Sequence, residues 1–99
     1  MIIGQFDEKS ATATMVLKGR FDYSCQQEFR EFFARYPKGT DYIIDLSSVS
    51  YIDSSALGML LLLRDHAGGD TSNVVIKGAS EFVISALKMA HFERLFVLS

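Results

Sequence analysis

The chain has 99 residues, 48% of them hydrophobic and 22% charged, with a net charge of −2. That length suits one small domain, and the apolar share excludes a disordered chain, which would bury too little to offset its ordering entropy. The acidic balance leaves no basic footprint for nucleic acid, and a single cysteine, Cys25, excludes an internal disulfide and a cysteine-built zinc site.

The first residues lack a basic segment followed by a long apolar one, so no signal peptide is expected. The longest apolar run, Met59 to Leu63, is far short of the ~20 residues that span a bilayer. A soluble cytoplasmic protein is the expectation. There is no internal repeat and no low-complexity stretch, so residues 1–99 read as one domain.

Residues 2–6 are apolar-rich and end in Asp7-Glu8-Lys9-Ser10. Then Ala11, Ala13, Met15 and Leu17 alternate with Thr12, Thr14, Val16 and Lys18. Period two with β-branched residues predicts a half-covered strand, paired with the first as a hairpin. Gly19-Arg20-Phe21-Asp22 reads as a turn, and Ser24 with Gln27 three residues on fits a capping box. Behind it Cys25, Phe29, Phe32, Phe33 and Tyr36 form one apolar helical stripe, which Pro37-Lys38-Gly39 stops.

Tyr42 to Leu46 is a short, nearly continuous apolar run that predicts an interior parallel strand. A serine-rich loop, Ser47 to Ile52, is expected next, then a helix from about Ala56 to Ala67 behind the cap cluster Asp53-Ser54-Ser55. Gly68-Gly69 ends it. Val74 to Lys77 predicts another buried strand. Gly78-Ala79-Ser80 opens a third helix with Phe82, Val83, Ala86, Leu87 and Ala90 inward, and Leu95 to Leu98 a last short strand. The order β-β-α-β-α-β-α-β predicts an α/β domain with a mixed sheet, its opening hairpin antiparallel and the later strands joined by helical crossovers.

Catalytic patterns are missing. Ser54 and Ser55 stand 12 and 11 residues before His66 on one predicted helix, roughly 16–18 Å away, too far for a nucleophile and its base. His66 and His91 read as surface residues near helix ends, and Cys25 as a small buried hydrophobe. There is no phosphate-binding glycine loop, and the acidic residues are too dispersed for a metal site. Neither a catalytic residue nor a cofactor is expected. A receiver domain phosphorylated on Asp45 fits poorly, because no acidic pair follows the first strand to hold Mg²⁺.

One segment carries more information: Ile44-Asp45-Leu46, a loop, then Asp53-Ser54-Ser55-Ala56-Leu57-Gly58 at a helix start. It resembles the STAS-domain signature of bacterial anti-sigma factor antagonists, in which an aspartate, hydroxyl residues, a small residue, Leu and Gly open the helix after a central strand. Leu17-Lys18-Gly19-Arg20-Phe21-Asp22 is similar to the family's Gly-x-hydrophobic-Asp turn. The resemblance extends over essentially the whole chain in length and element order.

The resemblance implies a partner switch. The unphosphorylated protein would bind an anti-sigma factor or a serine kinase with a histidine-kinase-like ATPase fold. Phosphorylation of the serine after the aspartate, here Ser54 with Ser55 as the weaker candidate, would break the complex, and a PP2C-type phosphatase would reset it. Asp22 and Asp53 would shape the phosphosite. A phosphate adds about −1.5 to −2 charge, comparable to the net charge of the domain. The helix dipole favours it there, so the effect would fall on the bound partner rather than on the helix. Ala56, Met59, Leu60, Leu63 and Ala67 share one helical face. Gly58, Leu61 and Leu62 fall outside it and are candidates for a partner-binding patch. The alternative within the family is a constitutive accessory subunit of an ABC lipid-transport complex.

Overall fold

In the computed structural model, which describes residues 2–99, the two opening segments pair as an antiparallel hairpin, β1 (Ile2–Asp7) and β2 (Thr12–Phe21). Then follow α1 (Gln26–Ala34), β3 (Asp41–Ile52), α2 (Ser54–Ala67), β4 (Val74–Lys77), α3 (Glu81–Met89) and β5 (Val97–Leu98). The five strands form one sheet in the order β1-β2-β3-β4-β5, and every pairing after the hairpin is parallel. This is the mixed α/β architecture that the element order predicts.

Because the strand order is sequential, each crossover steps to the next position in the same direction. Right-handed crossovers then place all three helices on one face of the sheet. Burial agrees: Ala13, Met15 and Leu17 on β2, Tyr42, Ile44 and Leu46 on β3, and Val74 and Ile76 on β4 are buried, while their alternate neighbours are not. The result is two layers, with the far face of the sheet uncovered.

Each helix contributes the stripe its sequence encodes. On the first helical segment Cys25, Phe29, Phe32 and Phe33 are buried, with Tyr36 packed against them. Phe29 packs against Phe21 of β2, the two rings tilted at 33° with 5.3 Å between their centres. The Phe32 ring lies over Gly4 of β1 so closely that an added methyl there would overlap it. Tyr42 is buried beneath α1, and its hydroxyl donates to the Phe33 carbonyl at 3.2 Å. Burial, with a smaller contribution from Tyr36, pushes that phenol up to about 12. On α2 the predicted face, Ala56, Met59, Leu60, Leu63 and Ala67, is the buried one. Gly68, with φ of +129°, closes the helix.

Several expectations need correction. Ser47 to Ile52 is not a loop but the second half of β3, and Gly19 to Phe21 is not a turn but the end of β2. The two segments pair as Lys18↔Ser48, Gly19↔Val49, Arg20↔Tyr51 and Phe21↔Ile52, and β3 carries one extra residue at each of two bulges. The bulges move the buried positions to Leu46, Val49 and Ile52, every third residue, which erases the period-two signal. Phe82 does not point inward; it is 60% exposed, and Val83 and Leu87 form the buried face of α3. His66 is more than a surface residue. Its ring lies 5.1 Å from that of Phe33, and Nε2 donates to the Tyr36 carbonyl at 2.7 Å, tying α2 to the end of α1. The last strand is only Val97–Leu98.

Candidate functional site

β4 ends at Lys77, opposite Asp45, whereas β2 and β3 continue as a two-stranded ribbon to Phe21 and Ile52. At about 3.3 Å per residue, the ribbon runs roughly 20 Å beyond β4. The left-handed φ of +83° at Gly19 marks the bulge that bends it, a conformation that costs glycine little. At its tip the next residues are Asp22 and Asp53, so the pairing Phe21↔Ile52 sets these two aspartates side by side.

Both aspartates have extended backbones and both cap the element that follows. Asp53 has φ −128° and ψ −175°, and its Oδ1 accepts the Ala56 N–H at 3.0 Å as N-cap of α2. Asp22 has φ −138° and ψ −167°. Its Oδ1 accepts the Ser24 N–H at 3.1 Å and the Ser24 hydroxyl at 2.6 Å, starting a 3-10 turn over Tyr23–Cys25 that leads into α1. The capping box predicted at Ser24 is therefore replaced: Asp22 is the cap, and Ser24 donates to it.

The Ser24 hydroxyl, assisted by the Ser24 N–H and the Arg20 guanidinium, holds the Asp22 carboxyl below the usual carboxylate range. Arg20 Nε stands 3.3 Å from Asp22 Oδ2, and its guanidinium lies 4.0 Å over the Tyr51 ring on the neighbouring strand. The tip thus presents two aspartates with an arginine laid against one of them. Asp45 lies lower on β3, where it accepts the Ser47 hydroxyl and N–H at 2.6 and 2.9 Å.

Ser54 follows Asp53 as the first residue of α2 and is exposed; Ser55 is half-buried. From Ser54 an exposed stripe runs down α2 through Gly58, Leu61, Leu62 and Asp65. Leu61 and Leu62 are 42% and 46% exposed, so the helix is not enclosed by its neighbours despite being apolar on nearly all sides. Ser55, Gly58 and Leu62 also line a shallow depression of about 410 Å³ with Tyr23, Gln26 and Met59. A side chain added at Gly58 would meet nothing within 4 Å. The residues singled out from the sequence, Asp22, Asp53, Ser54, Ser55, Gly58, Leu61 and Leu62, therefore gather at the ribbon tip and along one face of α2.

Sequence reasoning missed Tyr23, 70% exposed beside this face, and the Arg20–Tyr51 pair. Tyr23 was detectable: two residues before Cys25, it falls off the apolar stripe of the first helix and has no place in the core. Arg20 and Tyr51 are 31 apart in the chain, and only the strand register brings them together.

Fold and site together define a small mixed α/β domain with an exposed serine at the head of a helix. The chain belongs to the STAS-domain family. The family model described as "Mlab, STAS domain" matches residues 5–98. A STAS-domain containing protein of Pseudomonas aeruginosa (strain UCBPP-PA14) is 44% identical over 87 residues, covering 87% of this chain and 86% of that protein. Solved structures share the fold. A putative anti-sigma factor antagonist from Thermotoga maritima superposes with a TM-score of 0.83 at 16% identity, over 99% of this chain and 85% of that one. The anti-sigma factor antagonist SpoIIAA in its unphosphorylated form gives 0.74 at 15% identity, over 100% and 87%. A sulfate transporter family protein from Wolinella succinogenes gives 0.72 at 15% identity, over 94% and 80%.

Proposed function

We propose that this STAS domain is an anti-sigma factor antagonist in a partner-switching pathway. Unphosphorylated, it binds an anti-sigma factor or a serine kinase with a histidine-kinase-like ATPase fold. Phosphorylation at Ser54 releases it, and a PP2C-type phosphatase restores it. Its part is to bind and be modified rather than to catalyse. The observation that carries this reading is the position of Ser54: exposed, at the head of α2, and at the top of the same stripe that displays Leu61 and Leu62.

The physical chemistry supports a readout in the complex. A phosphate on Ser54 meets the positive end of the α2 dipole, which stabilises an anion there. Asp53 directly precedes it, and Arg20 is already engaged by Asp22, so the added charge leaves the helix start more negative. A partner packed over the tip and the α2 stripe meets new charge and bulk at one point. Tenfold weaker binding needs only about 1.4 kcal/mol. Ser55, half-buried, is the weaker acceptor.

Ser54→Ala should keep partner binding, and Ser54→Asp should weaken it about tenfold or more while leaving the circular dichroism spectrum unchanged. Equal binding by the two variants would sink the proposal. Phosphosite mapping in cells with and without the phosphatase should find phosphate on Ser54. A second reading, a constitutive accessory subunit of an ABC lipid-transport complex, uses the same exposed leucines without modification. Copurification with an ABC ATPase, and Ser54 free of phosphate in both cell types, would favour it.

A further inference from the structure

The uncovered face of the sheet is not uniformly polar. On it each strand displays one β-branched apolar side chain: Ile3, Val16, Ile43, Val75 and Val97. The register joins them. Ile3 is opposite Val16, Ile43 opposite Val75, and Val75 opposite Val97, while Val16 meets Ile43 diagonally across β2 and β3. The outcome is a continuous belt across all five strands, open to solvent at its ends, where Ile3 is 43% and Val97 55% exposed.

The two flanks of the belt differ in charge. Toward the start of the parallel strands lie Asp7 and Asp41; toward their ends lie Lys18 and Lys77. Asp45, on the second flank, is already held by Ser47, and Lys77 lies near enough to stabilise its charge. A two-fold axis running along the belt would bring the belts of two copies together face to face. It would also reverse the strands, setting the Asp7–Asp41 flank of each copy against the Lys18–Lys77 flank of the other. Sheets packed in this way sit about 10 Å apart, with their apolar side chains interdigitated.

We propose that this face is a self-association surface: a second copy of the chain covers it in a two-fold, face-to-face dimer. The match of charges under that single rotation singles out another copy as the occupant, because a two-fold interface must be complementary to itself. The footprint, about five residues on each of β1 to β3, four on β4 and two on β5, is roughly 330 Å² in projection, below the range of stable interfaces, so the dimer is weak, with a dissociation constant of about 10–1,000 µM. The surface lies on the opposite side of the sheet from α2 and does not involve Ser54.

Sedimentation equilibrium from about 10 µM to about 1 mM tests it, with far-UV circular dichroism confirming that each variant folds. The wild type should dimerise within that range. Val75→Lys should abolish the dimer. Asp41→Lys and Lys77→Glu should each weaken self-association about tenfold or more, because each places like charges opposite one another. Mixing these two variants should restore dimers, since the mixed pair again has opposite charges at both contacts. A wild type that stays monomeric at the highest concentration, including one that binds only a different protein, overturns the proposal. So does a dimer that survives Val75→Lys, or a mixture that fails to recover association.

Discussion

Asp22 and Asp53 have the same backbone geometry and the same task but not the same hydrogen bonds, and those at Asp22, the Ser24 hydroxyl first, hold its carboxyl below its ordinary value. Asp22 accepts a hydroxyl, an amide and a guanidinium; Asp53 accepts one side-chain bond, from Ala56 N–H. Because the folded protein favours the charged form of Asp22, its contribution to stability is present above the unfolded pKa, about 3.9, and is lost as pH falls through the lower folded value. Asp22→Asn keeps the acceptor oxygen and removes the charge. Its melting temperature should therefore lie below wild type at pH 7 and converge with it in acid. A gap that stays constant down to pH 2 would mean that the charge is immaterial. The cap cluster at Asp53 and Ser54 was legible in the sequence because a helix cap is a local signal, whereas Asp22 was singled out through the family resemblance and its capping role was assigned to Ser24. The Arg20 contacts were only half legible: Asp22 is two residues away, but Tyr51 is a partner across strands.

At the scale of elements, α2 is informative because it departs from an ordinary amphipathic helix. Its buried face follows the helical period, and its outer face carries leucines where charged residues are usual. Gly58 stands on that outer face, inside the helix, with room for a side chain. For the fold alone alanine is the better residue there, by about 0.5–1 kcal/mol. Gly58→Ala should raise the melting temperature by about 3–6 °C. If the glycine serves close approach of a partner, the same substitution should weaken binding. A stabilised variant with unchanged affinity would take Gly58 out of the binding surface. Phe82 shows how element-level reading fails: helical spacing gave α3 an apolar sector wider than the face that finds a neighbour, and the first turn was left in solvent.

For the molecule as a whole, the sequential order of strands has a cost and a consequence. It places all three helices on one face, so the α1–α2 layer must pack closely and the opposite face stays open. Close packing is most acute where Phe32 of α1 rests on Gly4 of β1, 28 residues away in sequence. Gly4→Ala should overpack that contact and destabilise by about 1–3 kcal/mol, measured by urea unfolding. A neutral result would show that the Phe32 ring can turn aside. The consequence is that the domain has two separate surfaces: the ribbon tip with the α2 stripe, and the far side of the sheet.

The sequence by itself determined the element order, the mixed α/β class, the buried stripe of each helix apart from Phe82, and the cluster of capping residues around Ser54. All of these rest on interactions within a few residues, which leave a period or a cap in the chain. The tertiary structure decided the length of the β2–β3 ribbon, the adjacency of Asp22 and Asp53, the contact of Arg20 with Tyr51 and the apolar belt across the open face. Those depend on strand register. Two bulges in β3 shift that register by one residue each, and pairing between distant strands leaves no local period from which the shift could be read.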